Sequence, residues 1–426
     1  MGKKLIGLEL KVLGGGREVG KAAFLLRGDN IGLLLDFGVM VSKKEPIFPM
    51  HIRPKEVKAV LLTHAHLDHC GALPLLCMGE GVEWYATELT IEFTKLIIED
   101  FIKVSGFYLP FEYIDLINTM NYSKAIERRK IFKIGEFEIT FFDAGHIPGA
   151  CSIVISNGKK RIFYTGDINI KDTNIVKGAD LDLEEMDIVI SESTYALTDH
   201  PPREEVEEEF TKFAREVVEG KGTLLVPAFS IGRAQEIATI LTERNFPYNI
   251  AMDGMALKVN EILLKHENYL KDPKLFKKML NKVELVTKWS RRKELIKTPG
   301  VIISPAGMLV GGAAAFYNSE IVKDSKNAVA LVSFQVPGTP GRTLLEKGIA
   351  LVDGKPQKVK AQVRRFDFSS HCGRKELFDL IRNIKGNPKV IVVHGDENNC
   401  LTFARELKEN YGLDTFAPQV GEVIKL

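Results

Sequence analysis

The feature that most constrains this chain is the way its apolar segments end. Runs rich in Val, Ile and Leu predict β-strands, and several stop at an acidic residue or a histidine: Asp36, His64, His146, Asp167, Glu192 and His394. Open α/β sheets carry their ligand sites at the carboxyl ends of the strands. We therefore expect these groups, which are far apart in sequence, to converge on one edge of a sheet.

The segment 63–71, THAHLDHCG, is the most specific part of this pattern. It places His64, His66, Asp68 and His69 in one short loop between a predicted strand and a predicted helix. The two histidines project from the loop, whereas Asp68 and His69 face another direction, so one loop can serve two neighbouring ions. Imidazole and carboxylate suit zinc, with iron or manganese as alternatives. A set of helix-capping residues is the plain alternative, and four such side chains in succession disfavour it.

The other histidines divide by context. Six of the nine lie at candidate positions, 64, 66, 69, 146, 371 and 394, and the remaining three, at 51, 200 and 266, are interpreted as surface or structural residues. A single His146 or His394 would more often be a buried core histidine. Each follows a predicted strand and adjoins a glycine, and this context favours a ligand.

The order of predicted elements indicates two domains, as expected for 426 residues. We predict strands near 5–13, 21–27, 31–35, 58–63, 137–142, 151–156, 161–165 and 187–191, with helices near 71–79, 88–104 and 122–128. From about residue 200, an acidic amphipathic helix and strand-to-helix units at 223–228, 301–312 and 328–334 predict a parallel α/β domain. Residues 1–198 and 348–426 are therefore assigned to one domain, and 199–347 to a second domain inserted into it.

Bulk properties exclude several classes of protein. A net charge of +2 gives no global argument for nucleic-acid binding, so any basic surface must be local. We expect no signal peptide and no membrane span, because no apolar run reaches the roughly 20 residues that a membrane helix needs. Five scattered cysteines without a CxxC pair predict a protein of the reducing cytoplasm.

The motifs carry a family resemblance. HAHLDH at 64–69, with Asp36, His146 and Asp167, resembles the metallo-β-lactamase superfamily. SEST at 191–194, FSSHCG at 368–373 and VVHGD at 392–396 resemble the motifs that β-CASP nucleases add. VPAFSIGRAQE, SPAGMLVGG and GTPGR resemble the nuclease subunit of the cleavage and polyadenylation specificity factor and its prokaryotic relatives, and RNase J more distantly.

The resemblance implies an α/β fold, an αββα metallo-β-lactamase sandwich with an inserted parallel α/β β-CASP domain. It also implies a minimal catalytic core, without the RNA-binding KH domains that some archaeal relatives carry ahead of it and without an appended C-terminal domain. A homodimer is expected only by family analogy.

The resemblance further assigns two zinc ions per chain, with Mn²⁺ or Fe²⁺ as alternatives. One ion is held by His64, His66 and His146, and the other by Asp68, His69 and His394. Asp167 bridges the two ions, and Asp36 orients a ligand from behind. A hydroxide between the ions would attack the phosphorus of a phosphodiester.

Two further residues are implied on the leaving side of the reaction. His371 would contact the phosphate or donate a proton, and Glu192 would orient it. RNA-cleaving members of the group carry histidine at the position matching His371, which favours single-stranded RNA over DNA. The products implied are a 5′-phosphate and a 3′-hydroxyl.

The inserted domain offers candidate phosphate contacts. Ser230, Gly232 and Arg233 lie where a strand turns into a helix, and Ser304 with Gly307 repeats this arrangement. The alternatives are an ordinary serine N-cap with a surface arginine, and a Gly-rich connection. Residues 256–300 contain twelve Lys or Arg against five Asp or Glu, with Trp289 and Tyr269 among them. This run predicts either an RNA track or a solvated helical face, and we slightly favour the latter.

These observations favour a zinc-dependent ribonuclease of RNA processing or decay, acting as an endonuclease. A 5′→3′ exoribonuclease of RNase J type is the first alternative. A small-ester or β-lactam hydrolase is disfavoured by the inserted domain and by Glu192, His371 and His394. A non-catalytic RNA-processing scaffold is disfavoured because every expected ligand position is filled.

Overall fold

The chain divides into two compact units. The computed structural model describes residues 7–41, 45–79, 81–106, 108–336 and 338–426. Unit 1 takes the chain up to residue 171 together with 178–199 and 370–426, and unit 2 consists of 172–177 and 200–369.

The strands and helices of unit 1 come from three stretches of the chain. Its strands are β1 (Glu9–Gly14), β2 (Ala23–Arg27), β3 (Gly32–Leu35), β4 (Ala59–Leu61), β5 (Glu83–Thr87), β6 (Ser123–Ile126), β7 (Phe132–Ile134), β8 (Phe137–Asp143), β9 (Cys151–Ser156), β10 (Arg161–Tyr164), β11 (Ile188–Ser191), β20 (Lys389–Val392), β21 (Thr415–Phe416) and β22 (Val423–Lys425). Its helices are α1 (Leu67–Cys70), α2 (Glu88–Val104), α3 (Tyr113–Asn121), α11 (Arg374–Asn383) and α12 (Glu397–Tyr411).

The strands of unit 1 form two mixed sheets. Among the described residues each sheet has seven strands, in the orders β22-β1-β2-β3-β4-β5-β6 and β21-β20-β11-β10-β9-β8-β7. β3 to β6 run parallel to one another, as do β10, β11, β20 and β21 in the second sheet, whereas β3 is antiparallel to β2 and β10 to β9. The parallel part of each sheet therefore presents its carboxyl ends together.

Continuous apolar strands form because both faces of each sheet are covered. Along β2, Phe24 and Leu26 belong to the core between the two sheets, whereas Leu25 belongs to a second core against α2 and α3. This alternation follows from the two-residue period of a strand. A third core packs α11 and α12 on the second sheet through residues such as Leu377 and Phe403. The layers are therefore helix, sheet, sheet, helix.

Unit 2 is a parallel α/β unit. Its strands are β12 (Thr223–Pro227), β13 (Ile250–Asp253), β14 (Glu284–Val286), β15 (Gly300–Ser304), β16 (Ala328–Leu331), β17 (Ile349–Val352), β18 (Lys355–Lys358) and β19 (Gln362–Arg365). Its helices are α4 (Arg203–Glu219), α5 (Arg233–Glu243), α6 (Ala256–Lys265), α7 (Pro273–Lys282), α8 (Trp289–Leu295), α9 (Gly312–Ile321) and α10 (Pro340–Lys347).

The main sheet of unit 2 has the order β14-β13-β15-β12-β16-β19, and all its neighbouring strands are parallel. Leu225, Ile302 and Val329 pack with Tyr317 and Ile321 of α9 on one face. α4 and α5 also pack on the central strands β12 and β15. β17 and β18 form a separate antiparallel hairpin.

Two helix predictions in unit 1 are wrong. Residues 122–128 do not form a helix, because Ser123–Ile126 pairs in parallel with β5, and the helix lies earlier, at Tyr113–Asn121. The helix predicted near 71–79 is instead α1 followed by a 3-10 turn at Leu73–Leu76, where Pro74 cannot donate the hydrogen bond of a regular helix. The strand predicted near 5–13 begins at Glu9, since residues 7 and 8 are not part of it, and residues 5 and 6 lie outside the described residues.

The predicted domain boundary at 347/348 also differs from the observed units. β17, β18 and β19 belong to unit 2, which extends to residue 369. The reason is that β19 pairs with β16, in register from Ala328↔Gln362, and so completes the edge of the parallel sheet. The alternating pattern in KVKAQVRRF predicts a strand but does not indicate which sheet it joins. The short segment 172–177, which the prediction left in the first domain, also belongs to unit 2.

Candidate metal centre

The candidate ligands all lie in unit 1, after the carboxyl ends of strands. His64 follows β4, His146 follows β8, Asp167 follows β10 and His394 follows β20. His66 precedes α1, and Asp68 and His69 lie in its first turn. The structure brings these side chains from both sheets into one buried cluster.

The first group of ligands surrounds one point. His66 Nδ1 lies 3.1 Å from His64 Nε2 and 3.1 Å from His146 Nε2. Asp167 Oδ2 lies 3.5 Å from His64 Nε2 and 3.6 Å from His146 Nε2. Three imidazole nitrogens and one carboxylate oxygen therefore converge within contact distance of one another.

A second group shares Asp167 with the first. His394 Nε2 lies 3.5 Å from Asp68 Oδ2. The other oxygen of Asp167, Oδ1, lies 3.3 Å from His69 Nε2 and 3.4 Å from His394 Nδ1. The two oxygens of one carboxylate thus face two different sets of ligands.

These groups fit divalent metal ions. Ligands at about 2.1 Å from a tetrahedral ion lie roughly 3.4 Å from one another, which is the range of spacings observed here. His69 Nε2, Asp167 Oδ1 and His394 Nε2 are buried and form no hydrogen bond. A buried polar atom without a hydrogen bond costs about 1–3 kcal/mol, and a bound cation removes this cost. The sequence alone predicts the same residues.

Hydrogen bonds behind the histidines fix which nitrogen faces the cluster. His69 Nδ1 donates to Asp36 Oδ2 at 2.8 Å, and His146 Nδ1 donates to the Ser370 carbonyl at 2.8 Å. These acceptors carry no hydrogen, so Nδ1 holds the proton. In the neutral ring Nε2 is left with a lone pair that points into the cluster.

Asp36 is the centre of the hydrogen-bond network behind the ligands. It is fully buried and has a left-handed backbone conformation, with φ of 57°. Besides His69, its carboxylate accepts hydrogen bonds from Thr63 N at 2.7 Å, Thr63 Oγ1 at 2.9 Å and Tyr164 Oη at 2.7 Å. Backbone conformations of this kind cost on the order of 1 kcal/mol and are retained where a side chain must be held in place.

Burial controls the protonation of the cluster. It lowers the pKa of His64 and His146 well below the usual range and that of His66 to about 4, and neighbouring histidines add to the effect. These imidazoles are therefore neutral at pH 7, the form that binds metal. Burial would raise the pKa of Asp167, but His69 and His394 outweigh it, so the pKa is lowered and the group is a carboxylate.

His371 and Glu192 form a pair beside the cluster. His371 Nδ1 donates to Glu192 Oε1 at 2.9 Å, and His371 Nε2 lies 3.9 Å from Asp167 Oδ2. Glu192 Oε1 also accepts from Ile168 N at 2.8 Å, which holds the carboxylate in place. Burial lowers the pKa of His371, but the carboxylates of Glu192 and Asp167 outweigh it and raise the pKa to about 9. His371 therefore carries a proton at neutral pH.

The candidate phosphate contacts lie in unit 2, at the carboxyl edge of its sheet. Ser230 and Ser304 are buried, and a Cβ on Gly307 would lie 3.1 Å from Phe229 N, so the two loops are in contact. Ser230 is not the N-cap of α5, because the helix begins at Arg233 with Gly232 as its N-cap.

Arg233 has an intramolecular partner that the sequence did not indicate. Its guanidinium donates to Glu236 Oε2 at 2.7 Å and the residue is 8% exposed, so it is not a surface arginine. A phosphate at this position would have to compete with the Glu236 carboxylate.

Three family models match successive parts of the chain. The metallo-β-lactamase superfamily matches residues 16–203, the β-CASP domain matches 234–344, and the Zn-dependent metallo-hydrolase RNA specificity domain matches 356–418. RNase aCSPSF2 of Saccharolobus solfataricus is 40% identical, over 98% of this chain and 85% of its own length. The chain belongs to the β-CASP ribonuclease family.

Further similarities agree with this assignment. The transcription termination factor FttA of Methanocaldococcus jannaschii is 30% identical to this chain, over 98% of this chain and 72% of its own length. A crystal structure of a protein of unknown function from Enterococcus faecalis V583 has the same fold, with a TM-score of 0.63, 15% identity and coverage of 98% of this chain and 100% of that chain.

Family membership confirms the predicted fold class, a metallo-β-lactamase domain combined with a β-CASP domain. It also supports an RNA-processing nuclease, and the metallo-β-lactamase fold implies that divalent metal is bound. In the part of the β-CASP chain that the structure describes, none of the helices is long and apolar enough to cross a membrane.

Several residues of the site were not predicted from the sequence. Tyr164 and Thr63 hold Asp36, and the Gly15 carbonyl accepts a hydrogen bond from His394 N at 2.8 Å. The signal for Tyr164 is a hydroxyl at the end of the apolar run RIFY, three residues before Asp167. Gly15 lies in the loop 14–20, GGGREVG, which on sequence alone is simply a tight turn between strands.

Proposed function

We propose that this β-CASP protein is a zinc-dependent ribonuclease that binds two ions per chain and cleaves single-stranded RNA internally. The observation that carries the proposal is the position of Asp167, whose two oxygens face two separate groups of ligands. A single-ion site has no need of such an arrangement.

The proposed ligands follow from the donor atoms. His64, His66 and His146 would hold one ion, Asp68, His69 and His394 would hold the other, and Asp167 would contact both. When bound, two divalent ions supply a nucleophile by acidifying water at neutral pH, and they neutralise charge on the phosphate. Glu192 also lies within reach of Asp167 and His394, but its hydrogen bonds to His371 and Ile168 N assign it to a supporting role.

His371 is the proposed proton donor to the leaving 3′-oxygen. Glu192 fixes the ring through Nδ1 and favours the protonated form, so Nε2 presents a proton towards the cluster. Protonation of the leaving oxygen gives a 3′-hydroxyl, and the attacked phosphate stays on the 5′ end of the other product.

Unit 2 is proposed to be the inserted β-CASP domain and to contribute substrate contacts. Ser230, Gly232, Ser304 and Gly307 are the candidates for the RNA backbone, and Arg233 is a weaker one because Glu236 binds it. A homodimer and a cytoplasmic location stay predictions of the sequence.

The test separates internal cleavage from digestion at an end. A circular RNA and the same RNA in linear form, labelled at its 5′ end, are incubated with the zinc-loaded protein. We expect cleavage of the circle. Mononucleotide release from the linear RNA with an intact circle would overturn the endonuclease proposal in favour of a 5′→3′ exonuclease.

The matched variants are Asp167→Ala and Asp182→Ala. Asp182 is a highly exposed aspartate of the same unit, so its replacement controls for handling and charge. Asp167→Ala is expected to leave both RNAs intact while keeping the circular dichroism of the wild type. Full activity of this variant would contradict the proposed site.

A further inference from the structure

Trp289 is exposed to an extent that is unusual for tryptophan. It is the first residue of α8, and 52% of it is exposed, whereas Trp84, the other tryptophan of the chain, is fully buried. Burial of an indole is strongly favourable, so a large aromatic side chain that stays on the surface is a candidate for contact with a ligand.

The indole of Trp289 is in contact with an aromatic ring and with a guanidinium group. The Phe316 ring centroid lies 4.6 Å from that of Trp289, and the Arg292 guanidinium lies 5.3 Å from the Trp289 ring centroid. Arg292 in turn donates to both oxygens of Asp253, at 2.7 and 2.8 Å. Asp253 is fully buried at the end of β13 and also accepts from Tyr317 Oη at 2.7 Å. The ring is therefore fixed before any ligand arrives.

The segment that carries the ring is positively charged. Lys288, Lys293 and Lys297 are exposed and form no ion pair within the described part of the chain. Arg291 is different, because Glu284 and Glu294 neutralise it. Exposed acidic residues of unit 2 are concentrated instead on α4, at Glu204, Glu205, Glu208 and Glu209. Within residues 284–297, five Lys or Arg stand against two Glu, although the net charge of the chain is only +2.

We propose that Trp289, with Lys288, Lys293 and Lys297, is a second RNA-binding surface, contained within unit 2, on which an unpaired base stacks. An exposed aromatic ring in a lysine-rich segment matches the two features of a single strand, an exposed base and a phosphate backbone. The bases of a duplex are not available for such stacking. Ser290 and the lysines next to the indole are polar, which disfavours an apolar protein partner.

The proposal for this surface rests on the proposed function, because it takes RNA as the ligand. It does not depend on the metal centre. The experiment uses the full-length zinc-loaded protein with His371→Ala, so that the RNA survives the measurement. The probe is a short oligoadenylate, and its binding to saturation is followed by anisotropy of a label on the RNA.

Tryptophan emission reports on the surface directly, since Trp84 is buried and Trp289 is exposed. We expect saturation with the oligoadenylate to quench the emission of Trp289, and a duplex of the same length to leave it nearly unchanged. Emission that stays constant at full saturation would overturn the proposal, as would equal quenching by duplex.

Variants at the surface give a second readout. Trp289→Ala is expected to weaken binding by about fivefold or more, the low end of base–aromatic stacking, and Trp289→Phe to retain most of the affinity. Tyr113→Ala is the control, because Tyr113 is an equally exposed aromatic residue of unit 1. Equal affinities of Trp289→Ala and Tyr113→Ala would contradict the proposal.

Replacing Lys288, Lys293 and Lys297 by Ala is expected to reduce the salt dependence of binding, by roughly 0.7 in the logarithmic slope for each phosphate that a lysine no longer neutralises. Lys212→Ala on the acidic helix α4 is the matched control and is expected to leave the slope unchanged. An unchanged slope in the triple variant would show that these lysines do not contact the RNA backbone and would contradict their part in the proposed surface.

The outcomes separate the two proposals. Quenching by an oligonucleotide that the wild-type protein does not cleave would support the surface and contradict the ribonuclease. Cleavage of RNA without quenching would support the ribonuclease and contradict the surface.

Discussion

Asp36 shows how a single residue can organise the metal centre without being one of its proposed ligands. Its carboxylate receives hydrogen bonds from Thr63, His69 and Tyr164 in a fully buried environment. The bond to His69 turns Nε2 of that ring towards Asp167. The position of a ligand is therefore set by a residue far away in sequence.

Replacing Asp36 by Asn should weaken zinc binding by about tenfold or more. The asparagine amide has one acceptor oxygen in place of two, and its NH₂ group would face groups that themselves donate hydrogen bonds. His69 therefore loses the acceptor that fixes its tautomer. Zinc affinity is measured by competition with a chromogenic chelator. Asp29→Asn, an exposed aspartate of the same unit, is the control. Equal affinities of the two variants would show that Asp36 does not position His69.

The pair His371 and Glu192 predicts a change in the pH profile. The Glu192 carboxylate raises the pKa of His371, so the protonated histidine persists to higher pH. If His371 donates the proton, activity falls as pH rises through its pKa. Glu192→Gln should therefore move the alkaline limb of the kcat profile to lower pH. His371→Ala should remove this limb and lower kcat by about a hundredfold or more. An alkaline limb unchanged in both variants would exclude His371 as the proton donor.

At the scale of elements, one buried carboxylate connects several parts of unit 2. Asp253 ends β13 and binds Arg292 of α8 and Tyr317 of α9. These contacts join a strand to two helices that are far apart in the chain. They also hold Arg292, whose guanidinium lies against the Trp289 ring.

Asp253→Ala should lower the free energy of unfolding of unit 2 by about 1–3 kcal/mol, because it leaves the Arg292 guanidinium and the Tyr317 hydroxyl without their acceptor. Urea unfolding followed by circular dichroism measures the change. Asp272→Ala, at the N-cap of α7, is a comparison in which only a single exposed cap is removed. A smaller decrease for Asp253→Ala than for Asp272→Ala would contradict the role of Asp253.

Elements with strong local signals were predicted closely from the sequence. Helix α2 occupies Glu88–Val104, the predicted range, because its apolar spacing and the Thr87 N-cap agree. Residues 123–126 were mistaken for helix, since this short run becomes a strand only by pairing with β5. The ligand positions were recognisable because His146, Asp167 and His394 each follow a strand, and the other four proposed ligands share the segment 64–69 after β4. Tyr164 was not, since its role depends on a contact with Asp36 across 128 positions of sequence.

At the scale of the whole molecule, the chain leaves unit 1 and returns to it. The observed return is at Ser370, after β19 has joined the parallel sheet, and not at residue 348 as the sequence indicated. Strand-like alternation is a local property, whereas the choice of sheet is decided by pairing with β16.

A fragment of residues 200–369 should therefore be more soluble than one of residues 199–347. The shorter fragment leaves the edge of β16 unpaired, and exposed strand edges promote aggregation. Sedimentation and circular dichroism of the two fragments test this. Equal solubility and equal strand content would favour the boundary at 347/348.

The central claim is that one buried cluster holds two divalent ions that make this chain a ribonuclease. The most direct test is to strip the protein of metal with a chelator and titrate zinc back while following RNA cleavage. The account predicts no cleavage by the metal-free protein, and activity that rises until two equivalents of zinc per chain are bound. Cleavage by the metal-free protein, or a plateau at one equivalent, would contradict it.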